Sequence, residues 1–89
     1  MNVFEKETIM QNPVTFEKFL NLNDQFKKLS VQRRIFSQRM VDEIMKRDSP
    51  ALDYCMRLLH RGPNAFTQFI DILIETKQNS IVDLLLNIT

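Results

Sequence analysis

One glycine, one cysteine, one histidine and no tryptophan among 89 residues narrow what this chain does. A lone cysteine cannot close an intramolecular disulfide or build a multi-cysteine zinc site, so packing alone holds the core. A lone glycine leaves no glycine-rich loop to cradle phosphate and too few breakers for a turn-rich β-sandwich. With no second histidine and no acidic EF-hand loop, neither a metal site nor a cofactor is expected. No apolar run approaches the roughly 18 residues of a membrane span. Glu5, Lys6 and Glu7 stand where a secretory signal would be apolar, so the expected compartment is the cytosol or the nucleus. A chain this short has room for one hydrophobic core, hence one domain over residues 1–89.

What the sequence does contain is helical periodicity. The run NAFTQFIDILIETKQ places Phe66, Phe69, Ile70 and Leu73 at i, i+3, i+4, i+7, and Ala65 and Ile72 widen the stripe past half the girth of a helix. Upstream, Leu52, Cys55, Met56 and Leu59 repeat the spacing, with Ser49 placed to cap and Pro50 at the first helical position, which predicts a helix over 50–61. Gly62, in a left-handed conformation, would end it, and Pro63 would open the next, leaving the two helices as antiparallel neighbours. Met40, Val41, Ile44 and Met45 mark a helix over 38–47 capped by Ser37. Leu22, Phe26 and Leu29 mark another that runs to Arg34, with Ile35 and Phe36 plugging the core at the junction.

Near the other end, Ser80 and Asp83 form a capping-box pattern for a helix over 80–87. Toward the N-terminus, Ile9, Pro13, Phe16 and Leu20 share one stripe, yet proline inside a helix removes a hydrogen bond and clashes with the preceding turn. The first helix is therefore expected to be kinked or broken near Asn12 and Pro13. The methionines, falling mostly on apolar stripes, and Phe66 and Phe69 are expected in the core. Short loops between six such helices predict an all-α bundle.

At Gly62 the stretch HRGPNAFTQFIDILIETKQNSIVDLLL resembles the fifth and sixth helices of caspase recruitment domains (CARDs). Arg61, Gly62, Pro63, Ala65, Phe66, Phe69, Glu75, Thr76, Lys77 and Gln78 carry the likeness. It resembles especially the N-terminal prodomains of CARD-bearing initiator caspases of the caspase-two type. LNDQFKKLSVQRRIFSQRMVDEIM is similar to the second and third helices of the family, and residues 1–21 depart from it, with Pro13 in place of an Arg-rich kinked first helix. The resemblance implies a six-helix antiparallel Greek-key bundle of the death fold. It also implies a homotypic function: binding another CARD on an adaptor or apoptosome-like scaffold, or a further copy of itself, to bring attached protease domains together. An adaptor's CARD or a CARD-only regulator would have the same fold.

The net charge of +1 conceals a dipolar pattern. Residues 1–24 hold two basic and four acidic side chains, residues 25–63 nine basic and four acidic, and residues 64–89 one basic and three acidic. Lys27, Lys28, Arg33, Arg34 and Arg39 fall within a stretch that has no anion until Asp42 and Glu43. Glu5, Glu7 and Glu17 on the first helix and Asp53 on the fourth would supply the opposite sign. The resemblance implies that a first/fourth-helix patch meets a second/third-helix patch of another CARD; Arg57 and Arg61 lie on the fourth helix here, but the first is acidic. The expected interface is a basic second/third-helix face meeting an acidic partner, led by Arg33 and Arg34 because arginine forms bidentate carboxylate pairs. A basic helical face also suits nucleic-acid phosphates. The pI near 7.9 and the lack of a recognition-helix signature weigh against that partner.

Cys55 and His60 are five residues apart, about 500° around a helix, which separates them too far for a catalytic pair. Cys55 falls on the apolar stripe, and His60 near a helix C-terminus, where its cation suits the dipole. The caspase nucleophile signature is absent, so the chain is expected to be a recruiting module and not an enzyme.

Overall fold

Pro13 decides how the chain begins. In the computed structural model, which describes residues 3–86, α1 (Val3–Met10) stops ahead of it and α2 (Pro13–Phe19) starts on it, with proline at the first helical position. Asn12 covers the break: its side-chain Nδ2 donates to the Thr8 carbonyl (2.6 Å) and its backbone N–H to that of Ile9 (3.2 Å). Ile9, Phe16 and Leu20 stay buried on both sides of the break. Then follow α3 (Asp24–Gln32), α4 (Gln38–Met45), α5 (Pro50–Leu58), α6 (Ala65–Glu75) and α7 (Asn79–Leu86). Among the described residues the fold is all-helical, and no helix is long and apolar enough to cross a membrane.

Local signals account for some boundaries and not others. Ser37 caps α4 as expected, accepting the Met40 N–H (3.2 Å), and Asn23 caps α3 by accepting that of Phe26 (2.8 Å). Ser49 precedes Pro50 but its side chain caps nothing. The expected capping box at Ser80 does not form, because α7 begins at Asn79 and the Gln78 carbonyl takes the N–H groups of Ile81 and Val82.

Helix ends depart furthest from expectation. Gly62 is not left-handed; α5 ends at Leu58 through tight i to i−3 bonds, His60 N–H to Arg57 and Arg61 N–H to Leu58 (both 3.1 Å), which need no positive φ. The left-handed residues are Arg34 (φ 59°) and Lys77 (φ 61°). Each closes a Schellman turn: Ile35 N–H reaches the Ser30 carbonyl and Arg34 N–H that of Val31 (both 3.0 Å), with Gln78 to Leu73 (2.8 Å) and Lys77 to Ile74 (3.1 Å) as the counterpart. α3 therefore stops at Gln32, short of Arg34, and its turn sends Ile35 and Phe36 into the core as expected.

Packing joins two pairs of helices distant in sequence as well as three pairs of chain neighbours. The closest backbone approaches pair α2 with α5, α3 with α6, α6 with α7, α4 with α5 and α3 with α4. The expected α5–α6 neighbours are not among these closest backbone approaches, although they touch through side chains, the Tyr54 ring of α5 lying 5.8 Å from Phe69 of α6; the buried side of α5 is Ala51, Tyr54, Cys55, Leu58 and Leu59. That side is rotated from the expected stripe, leaving Leu52 and Met56 only half-buried at its margin. The methionines are also corrected. Met40 and Met56 are partly buried against the core, while Met10 and Met45 are exposed, because branched and aromatic side chains already fill the centre. Phe66 and Phe69 are buried as expected.

Tyr54 sits at that centre. Its ring lies 4.8 Å from Phe36, 5.3 Å from Phe26 and 5.8 Å from Phe69, the first two edge-on, within the range where aromatic pairs attract. Its hydroxyl lies 2.7 Å from Ser30 Oγ, and Ser30 donates its single hydroxyl proton to the Phe26 carbonyl (2.9 Å). Tyr54 is therefore the donor to Ser30. A second tie lies at the surface, where Gln78 clamps the α2–α3 connection. Its Oε1 accepts the Asn21 N–H (2.8 Å), and its Nε2 donates to the Asn21 carbonyl (2.9 Å).

Ser30→Ala strands a buried phenol and is expected to cost about 1–3 kcal/mol, whereas Tyr54→Phe leaves the Ser30–Phe26 bond intact and costs about 1 kcal/mol. The double variant is expected to be no less stable than Ser30→Ala alone, measured by urea unfolding as a double-mutant cycle.

Candidate protein–protein interface

The charged residues singled out in the sequence fall into three groups. The first is a groove of about 670 Å³ between α3 and α4. Lys27, Lys28 and Lys46 line it, with Asp24, Asp42 and an apolar floor that includes Val31 and Val41. Lys27 pairs with Asp24 on its own helix (3.3 Å), and Asp42 accepts a hydrogen bond from Gln38 (3.0 Å).

The second group crosses from α4 to α5. Arg39 reaches Glu43 (3.6 Å), Glu43 reaches Arg57 (3.4 Å) and Arg57 reaches Asp53 (2.8 Å). Asp42 and Glu43, adjacent on α4, thus serve different surfaces, as a 100° step around a helix requires. Asp53 and Arg57 answer each other within the chain.

The third group gathers Arg33, Arg34 and Arg61 beside the start of α6. Arg33 pairs with Glu75, and the Arg61 guanidinium lies over the Phe36 ring, 5.7 Å from its centroid. The expected single basic face on α3 and α4 is therefore divided. Lys27 and Lys28 face the α3–α4 groove, whereas the Schellman turn carries Arg33 and Arg34 round to the α5–α6 loop. Sequence spacing did not reveal this, since the turn hinges on a non-glycine residue with positive φ.

Acidic residues lie nearer the first helices. Glu17 on α2 and Asp48 in the α4–α5 turn share a cleft of about 430 Å³ with Leu20, Leu22 and Met45. Glu7 is exposed and Glu5 half-buried on α1.

Cys55 is fully buried and His60 exposed, so they form no catalytic pair. Burial pushes the Cys55 thiol far above its ordinary 9.0. It also raises Tyr54 above its ordinary 10.0, with the Ser30 hydrogen bond acting the other way. Among the described residues no group of histidine, cysteine, aspartate or glutamate is placed to hold a metal ion. No protein-family model, curated protein or solved structure matches the chain.

Two outcomes follow. Glu43 is half exposed and its partner Arg39 lies in solvent, so Glu43→Gln is expected to lower stability by less than about 1 kcal/mol, with the difference vanishing in about 1 M salt. Cys55 and Tyr54 keep their protons in the folded state where the unfolded chain loses them. Their stabilisation is complete below the ordinary values and declines above them, so unfolding free energy should fall as pH rises past 9.0. Cys55→Ala should move that onset toward 10.0, measured by urea unfolding across alkaline pH.

Proposed function

We propose that this chain is a CARD-type death-fold module that assembles with another CARD, on an adaptor or an activation scaffold, and recruits an initiator caspase or its adaptor in apoptotic signalling. The observation that carries the reading is the interleaved packing of α2 on α5 and α3 on α6. Sequence-adjacent α5 and α6 are not among the close pairs. Close pairing between helices three apart in the chain, beside the neighbour pairs α3–α4, α4–α5 and α6–α7, supports a Greek-key bundle over a simple up-and-down one. Support also comes from the resemblance of residues 22–45 and 58–86 to the family. A free buried cysteine suits a reducing cytoplasm.

On this reading the α3–α4 groove, with Lys27 and Lys28 on its wall and Arg39 beyond it, meets an acidic surface of the partner. Such complementarity steers encounter and partner choice more than it adds affinity. The consequence is proximity: tethering raises the effective concentration of attached domains to about the millimolar range. A CARD-only regulator would use the same surface with nothing attached.

The test is capture from source-cell lysate with the whole chain as bait, each bait checked by circular dichroism and the captured proteins identified by mass spectrometry. A CARD-bearing adaptor or scaffold is expected with the native chain, and its loss with Lys27→Glu/Lys28→Glu. Unchanged capture by the charge-reversed bait would move the interface elsewhere. Nuclease-sensitive nucleic acid in place of any CARD protein would overturn the reading.

A further inference from the structure

Two loops far apart in sequence bring three arginines to one cleft. Arg33 and Arg34 leave the end of α3, Arg61 leaves the end of α5, and together they line a hollow of about 290 Å³ against Asn64, Ala65 and Gln68 at the start of α6. No acidic side chain lines it. We propose that this cleft binds a phosphate monoester on a protein side chain, of the phosphoserine or phosphothreonine type.

The charge balance selects phosphate over carboxylate. Arg33 is already answered by Glu75. Among the described residues, Arg34 and Arg61 have no carboxylate within ion-pair distance. Two uncompensated guanidiniums match the roughly −1.5 to −2 charge of a phosphoryl group at neutral pH, whereas a carboxylate's single charge would leave one cation unanswered. Each guanidinium presents a planar fork suited to two phosphate oxygens, a geometry that lysine lacks.

Position favours the same ligand. Arg61 is held in place over the Phe36 ring, itself fixed in the core. Arg34 occupies a left-handed position where glycine would be cheaper, so its side chain is present despite a backbone penalty. The Asn64 side chain does not cap α6, so the helix start adds a positive end to the hollow. This site lies apart from the α3–α4 groove and does not depend on the assembly reading.

The test titrates the whole chain, followed by backbone amide NMR, with a glycine-flanked phosphoserine peptide and its glutamate and serine counterparts. The phosphoserine peptide is expected to give saturable shifts confined to residues 33–36 and 61–68, with the glutamate peptide at least about tenfold weaker and the serine peptide silent. Inorganic phosphate should compete at the same residues. Arg34→Gly removes the guanidinium and gives the left-handed position its easiest residue, so the fold is kept; it and Arg61→Gln should each weaken binding about tenfold, and Lys28→Gln should not. Equal binding of the glutamate peptide would overturn the assignment to phosphate. Shifts spread without saturation over α3 and α4, or binding indifferent to both arginine variants, would overturn the site itself.

Discussion

A phenol sealed in an apolar core must find a hydrogen-bond partner, and the packing of this bundle turns on the one that Tyr54 finds. Ser30 lies on α3 and Tyr54 on α5, and their bond fixes how those helices face each other. The ring, held edge-on by Phe26 and Phe36 and tilted against Phe69, ties in the α3–α4 junction and α6. Phe69 extends the cluster to Phe16 on α2, 6.5 Å away. Three helices and one junction therefore meet around one side chain, with α2 joined to them through Phe69, and none can shift without breaking an aromatic contact or orphaning the hydroxyl.

The surface is organised by the same turns that feed this core. Residues 75–78, part of the stretch that resembles a CARD, each have a structural task. Glu75 pairs with Arg33, and Thr76 donates to the Ile72 carbonyl (2.8 Å). Lys77 adopts the left-handed turn, and Gln78 clamps Asn21. Likeness to a family in such a stretch reports on how the chain turns between α6 and α7. The candidate interaction surfaces lie elsewhere, in the α3–α4 groove and the arginine cleft, where charges are less fully answered within the chain.

Much of the fold was legible because periodicity and breakers are local. The stripe of Phe66, Phe69, Ile70 and Leu73 marked the most buried helix, Pro13 marked the break, and Ile35 and Phe36 read as a plug. The registers that failed were those decided by neighbours. Tyr54 has a polar tip, so spacing alone favoured Leu52 and Met56 over it for the inner side of α5; a distant Ser30 makes its burial affordable. Met45 fits an apolar stripe, yet the core closes without it. Gly62 suggested a left-handed turn, but i to i−3 bonds ended the helix first, and Arg34 and Lys77 took that conformation where the following residues had to turn inward.

The candidate sites were legible as composition and not as geometry. Charge counts identified the basic stretch from Lys27 to Arg39, but a linear run says nothing about which side chains a turn will carry away. By itself the sequence determined an all-helical chain with a broken start, a single core and a dipolar distribution of charge, since each follows from residue type and spacing along one element. The Asp53–Arg57 pair and the divergence of Asp42 from Glu43 follow from spacing along single helices; only the tertiary structure decided that Glu43 on α4 reaches Arg57 on α5 and that Arg33 and Arg34 join Arg61. Those groupings depend on distances between separate helices, and the burial of Tyr54, Phe36 and Phe69 sets those distances.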